Sequence, residues 1–124
     1  TMHRAETTAS PQAVLGLLET LNTIGLPVLF PVHPRIRPLV ATTGSFLKNI
    51  RFVSPLGYLQ MLLAEGDARC VVTDSGGVQK EAAFFQIPCI TLRTETEWVE
   101  TVAVGWNRLV GLSPERLREA LDMV

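Results

Sequence analysis

The sequence predicts an α/β domain: a doubly wound parallel sheet with helices on both faces, three layers in all. Three observations predict it. Short β-rich runs alternate with stretches of helical periodicity, those runs are apolar throughout, and two helical stretches open on a Ser-Pro pair. Strands that are apolar on both faces belong to parallel sheets covered by helices. Right-handed crossovers then make a doubly wound layer the natural closure.

The elements follow in chain order. Ser10–Pro11 supplies an N-cap and a proline at the first helical position. Val14, Leu17, Leu18 and Leu21 then share one helical face. Val28–Val32 and Ile50–Val53 read as the first two strands. Leu59, Leu62 and Leu63 form a shorter helical stripe, expected to face the core. Cys70–Thr73 is the third strand, and Val78, Ala82 and Phe85 stripe the helix after it. Cys89–Leu92 and Leu109–Val110 complete the strands. Ser113–Pro114 starts a last helix with Leu117, Ala120, Leu121 and Val124 on its inner face. No linker, repeat or low-complexity segment interrupts this single domain, residues 1–124.

The pattern begins at a strand end, Thr1–Arg4, with no strand before it. In a doubly wound sheet the first strand is central, because the strand order reverses beside it. The expectation is a chain that starts at or just after its central strand, or a sheet that closes some other way.

Composition narrows the function. An apolar fraction of 47% and a charged fraction of 19% fit a soluble globular chain. A net charge of −1 gives no electrostatic case for nucleic acid. No apolar run approaches the roughly 20 residues that cross a bilayer, and no signal-peptide pattern opens the chain. Cys70 and Cys89 sit inside apolar runs and read as buried free thiols. No His/Cys cluster has metal-ligand spacing, so neither metal nor cofactor is expected.

The polar residues that could do chemistry follow strand-like runs. Asp74-Ser75-Gly76-Gly77-Val78-Gln79-Lys80-Glu81 comes directly after the third strand. Two glycines at a strand-to-helix turn let a ligand approach the backbone, and the exposed N–H groups with the helix dipole favour a phosphate. Ser75 can cap that helix or donate to a phosphate oxygen. Glu81 lies four residues beyond Gly77, one turn down the same face, where a carboxylate can accept from vicinal ribose hydroxyls. The same residues also make sense as a capped helix bearing a solvated glutamate.

Three further groups reach the same rim. His3 can donate to a phosphate or move a proton, and Arg4 beside it can neutralise phosphate charge. His33, in Pro31-Val32-His33-Pro34-Arg35, stands at a strand's carboxyl end. Arg93 follows the fourth strand and can contact a ligand or pair with Glu95 or Glu97. Loops at one edge of an open α/β sheet are where such folds build their sites.

Taken together these motifs resemble those of the non-hydrolysing UDP-N-acetylglucosamine 2-epimerase family. The resemblance lies in Thr-x-His-Arg-x-Glu at 1–6, Pro-Val-His-Pro-Arg at 31–35 and Pro-Leu-Gly-Tyr-Leu at 55–59. It continues in Thr-Asp-Ser-Gly-Gly-Val-Gln-x-Glu at 73–81, Leu-Arg-x-x-Thr-Glu at 92–97 and Asn-Arg-Leu-Val-Gly at 107–111. It implies a GT-B-type protein of two Rossmann-like domains, of which this chain is the C-terminal, UDP-binding one. Ser75, Gly76 and Gly77 would then hold the diphosphate and Glu81 the ribose. The backbones of Leu56 and Met61 would face the uracil, and Arg4, Glu6, His33 and Arg93 would line the substrate site. His3 is the implied catalytic group near the diphosphate and sugar.

The family reaction interconverts UDP-N-acetylglucosamine and UDP-N-acetylmannosamine by eliminating and re-adding UDP. The resemblance places its catalytic carboxylates in an N-terminal domain outside these residues. The chain alone is therefore expected to bind a UDP-sugar without turning it over. A stand-alone UDP-sugar binding or regulatory module makes the same contacts and is the alternative. A homodimeric, cytoplasmic whole protein supplying polysaccharide precursors is further implied. Two positions depart from the family pattern: Trp98 stands where an arginine is common, and Lys80 where a second glutamate is.

Overall fold

The computed structural model describes all residues 1–124. A one-turn helix α1 (Ala5–Thr8) leads into α2 (Pro11–Asn22), whose cap is the Ser10 hydroxyl accepting from the Ala13 N–H at 3.2 Å. Strand β1 (Val28–Pro31) is followed by a 3-10 turn at Pro34–Ile36, α3 (Arg37–Thr43), and β2 (Ile50–Val53). Helix α4 (Tyr58–Asp67), β3 (Val71–Thr73), α5 (Gly76–Phe84) and β4 (Cys89–Thr91) form the centre of the chain. Helix α6 (Val99–Ala103), β5 (Asn107–Leu109) and α7 (Pro114–Leu121) complete it. Ser113 caps α7 as Ser10 caps α2, its hydroxyl accepting from the Arg116 N–H at 3.2 Å.

All strand pairs are parallel, as the apolar runs require. β1 pairs β2 from Val28 against Ile50, while β3 pairs β4 and β4 pairs β5. The sheet is nevertheless split in two, order β1–β2 and order β3–β4–β5. Strand order runs outward in both directions from the gap between β1 and β3, so the topological switch point lies there. That is the position the sequence pattern assigns to a central strand.

The gap is an apolar slot of about 650 Å³ between the facing edges of β1 and β3, floored by Met61 and Ala64 of α4 and by Leu21 of α2. Only the first residues bridge it. The Thr1 amino group donates to the Val72 carbonyl at 2.6 Å, and the Thr1 and Thr73 hydroxyls share a hydrogen bond at 2.7 Å.

One core spans the layers. Val14, Leu17, Leu18 and Leu21 of α2 pack with Phe30 and Ile90 on the strands, Leu92 just after β4, and Leu117 and Ala120 of α7. A smaller cluster of Val71, Ala82 and Cys89 lies under α5. Two apolar stripes differ from expectation. Leu59 and Leu63 are 73% and 70% exposed, and α4 buries Glu65 instead, so its inner face runs through Met61, Ala64 and Ala68. Phe85 is likewise outside the core, at the exposed end of α5. The second strand is Ile50–Val53 as read; the first, third and fourth each lose one residue, and the fifth moves from Leu109–Val110 to Asn107–Leu109.

Both cysteines are free, Cys89 buried and Cys70 half-buried against the slot. Burial pushes their thiols up to about 11 and about 12. Since the thiolate is the nucleophile, Cys89 should resist a thiol-specific reagent at about pH 8 until the protein is unfolded. Rapid labelling of the native protein would contradict the packing of α5 on β3 and β4. No helix is long and apolar enough to cross a membrane.

Candidate functional site

The strand carboxyl ends at the switch point gather most of the polar residues singled out above. Asp74, immediately after β3, organises them. Its carboxylate is completely buried (0% exposed) and accepts from the His3 N–H at 3.0 Å and the Arg4 N–H at 2.9 Å. The His3 ring approaches the same carboxylate, Nε2 to Oδ1 3.5 Å. A buried carboxylate needs such donors, and the two N–H groups pin the segment that carries His3 and Arg4 across the slot.

His33 is brought beside His3, ring centroids 6.0 Å apart. Its Nδ1 accepts from the Arg35 N–H at 3.2 Å, and Arg35 donates to the His3 carbonyl at 2.9 Å. His33 thus caps the 3-10 turn while presenting its ring to the rim. Arg4 and Glu6 stand 3.5 Å apart and, with Arg93, line a hollow of about 260 Å³ next to His3.

The glycine turn opens α5 on the same rim. The Ser75 hydroxyl accepts from the Val78 N–H at 3.3 Å, so of its two expected roles the capping one is filled. Gly76 and Gly77 are the first helical residues, whose N–H groups have no partner within a helix and point outward with the positive end of its dipole. Glu81 follows one turn below Gly77, half-buried where α5 faces α4. Leu56 and Met61 flank the start of α4, both half-buried.

Arg93 pairs with Glu97 at 3.1 Å, the second of its expected partners. Glu97 in turn lies against the glycine turn, where a Cβ added at Gly76 would collide with its carboxylate. A carboxylate at a helix N-terminus beside an arginine sits where both favour an anion. Its own backbone N–H, and after it the Arg93 guanidinium, hold the Glu97 carboxyl below the usual carboxylate range.

Three residues have roles here that the sequence did not assign to them. The Trp98 indole N–H donates to the Gly76 carbonyl at 2.8 Å, and Lys80 lies over its ring at 5.3 Å. Trp98 therefore braces the glycine turn from behind. Gln79 accepts from Thr96 at 2.6 Å and from Asn107 at 3.0 Å, tying α5 to the Arg93–Trp98 loop and β5. Asp74 is the third. Its place at the end of an apolar run marked it only as part of the glycine motif.

Residues 1–124 match the family described as UDP-N-acetylglucosamine 2-epimerase. A UDP-N-acetylglucosamine 2-epimerase homolog of Methanococcus maripaludis is 44% identical over 98% of this chain and 36% of its own length. A UDP-2,3-diacetamido-2,3-dideoxy-D-glucuronate 2-epimerase of Pseudomonas aeruginosa is also 44% identical, over 97% of this chain and 34% of its own. The crystal structure of the Methanocaldococcus jannaschii UDP-GlcNAc 2-epimerase in complex with UDP-GlcNAc and UDP superimposes with a TM-score of 0.87. It is 37% identical and covers 98% of this chain and 36% of that one. The chain thus spans about a third of the length of the relatives it matches. It belongs to the UDP-N-acetylglucosamine 2-epimerase family.

Proposed function

We propose that these residues form the nucleotide-binding part of an enzyme that inverts C2 of a UDP-linked N-acetylhexosamine, interconverting UDP-N-acetylglucosamine and UDP-N-acetylmannosamine. The observation that supports it most is the outward N-terminus of α5 at the switch-point rim, with Glu81 one turn below it. A diphosphate on the Gly76 and Gly77 N–H groups places a ribose along α5 toward the Glu81 carboxylate, and the uracil toward Leu56 and Met61. The sugar then lies toward His3, His33 and the hollow of Arg4, Glu6 and Arg93. His3, steadied by Asp74, is the group placed to hold or move a proton there. The carboxylates that work at C2 belong to the rest of the whole protein, so these residues alone bind without turnover.

Binding displaces the Glu97 carboxylate from the glycine turn, since two anions cannot share it, and leaves Arg93 free to meet the phosphate. The whole protein works as a cytoplasmic homodimer in polysaccharide precursor supply. Sedimentation of the full-length protein tests the dimer.

Calorimetric titration with UDP tests the site. Glu81→Ala should weaken UDP binding by about 1–3 kcal/mol, the range for losing hydrogen bonds to a charged group. Unchanged affinity would remove the ribose assignment. One comparison favours a second substrate, because the Pseudomonas relative is as similar as any quoted above and acts on a diacetamido-glucuronate. The epimerase assay on the full-length enzyme should therefore offer both UDP-sugars, and the one turned over at the higher kcat/KM decides between them.

A further inference from the structure

Glu65 is the one acidic side chain that α4 turns inward. It is 2% exposed, and neither carboxyl oxygen has a hydrogen-bond donor within reach. It follows Met61 by one turn on the inner face of the helix. Helix α5 packs on α4, and Glu81 is half-buried on it, near enough for its carboxyl to act on Glu65 by charge and as a hydrogen-bond partner. Two carboxylates offer each other only acceptors, so the contact is favourable when a single proton lies between them. Glu65 is the more deeply buried of the two, and burial penalises its charged form most.

The other ionisable groups around Glu65 do not supply that proton's equivalent. The Thr1 amino group favours the ionised form, but its own pKa is lowered by burial. Were Thr1 preceded by a peptide bond, that group would be an uncharged amide and this influence would vanish. Cys89 on β4 holds its thiol neutral, and Asp74 spends its carboxylate on His3 and Arg4. Burial and the Glu81 charge together raise the Glu65 carboxyl to about 7.

We infer that Glu65 is the positioning residue for Glu81: its protonated carboxyl donates to the Glu81 carboxylate and holds it toward the ribose of a bound uridine nucleotide. The inference rests on the reading of Glu81 as the ribose acceptor. It makes nucleotide binding depend on pH in a range where an ordinary glutamate would not titrate. Below neutrality the shared proton keeps one Glu81 oxygen engaged and leaves the other free to accept. Above it the shared proton is lost, the two charges repel, and Glu81 swings away from the ribose.

The test is titration of the full-length protein with UDP at about pH 6 and about pH 8.5, for wild type, Glu65→Gln and Glu81→Ala. Wild type should lose about tenfold in affinity between these pH values beyond whatever Glu65→Gln loses. The glutamine amide remains a donor at both, and because the ligand is the same its own ionisation cancels. A wild-type profile that Glu65→Gln reproduces would overturn the inference. Glu81→Ala binding UDP like wild type would instead overturn the ribose reading, so the two failures are distinct. Should Glu65→Gln fold poorly, the carboxyl ¹³C resonance of Glu65 in labelled wild type decides. Titration near neutral pH, perturbed by UDP, is the expected result, and titration in the ordinary carboxylate range would overturn it.

Discussion

Asp74→Ala is expected to lower stability by about 3 kcal/mol or more and to abolish measurable UDP-sugar turnover by the full-length enzyme. The carboxylate is fully buried and accepts from the His3 and Arg4 backbone N–H groups at 3.0 and 2.9 Å. Each hydrogen bond to a charged acceptor is worth about 1.5–3 kcal/mol, and removing the acceptor strands both donors away from water. The loss is also positional. The same carboxylate faces His3 Nε2 at 3.5 Å, and without it nothing fixes the ring at the rim beside His33. Thermal denaturation and the epimerase assay report the two effects separately. Asp74→Asn keeps the shape and one acceptor, so it should fall between wild type and alanine in both. Wild-type melting of Asp74→Ala would mean that the 1–4 segment is held by Thr1 against Val72 and Thr73 instead.

The sequence made four of the strands legible because buried parallel strands are uninterrupted apolar runs, whereas the fifth, Asn107–Leu109, shares only Leu109 with the run read for it. Their ends were less legible because residues such as Cys70 and Leu92 continue the apolar pattern past the last paired residues. Helix α4 misled for a physical reason. Counting apolar residues favours Leu59, Leu62 and Leu63, yet the inner face carries Met61, Ala64 and Glu65, and the charge at 65 hides that face from any hydrophobic periodicity.

The site was legible where backbone chemistry dictates it. A Ser-Gly-Gly turn after a strand leaves free N–H groups whatever surrounds it. Residues that act through tertiary contacts left no such signal. Trp98 braces Gly76 across 22 residues of chain and Gln79 reaches Asn107 across 28, so neither pairing could be read from local spacing. Arg93 shows the intermediate case: an arginine beside two glutamates predicts an ion pair, but which glutamate is chosen depends on the loop that Trp98 and Gln79 hold.

Leu18→Ala should cost as much stability as the loss of Asp74 while leaving the proposed nucleotide site intact. Leu18 is 0% exposed, in one cluster with Leu17 and Leu21 of α2 and Leu117 of α7. Truncating a buried leucine costs about 2–5 kcal/mol, the upper part of that range where the surroundings cannot collapse into the cavity. Here α2 is fixed from both ends, by the Ser10 cap at its start and by Asn22 at its end, whose side chain accepts from the Asn49 N–H at 2.9 Å. Collapse is therefore restricted, and the melting temperature should fall by roughly 10 °C or more. Well below that temperature UDP should bind with wild-type affinity, because α2 supplies no group to the rim formed by His3, Ser75–Gly77 and Arg93. A cost under about 1 kcal/mol would mean that α2 slides to fill the cavity. A weakened site in a folded Leu18→Ala protein would show instead that the α2 packing sets the position of the His3–Arg4 segment, which α1 joins directly to α2. Set beside Asp74→Ala, the variant separates what the core contributes to folding from what the buried carboxylate contributes to the site.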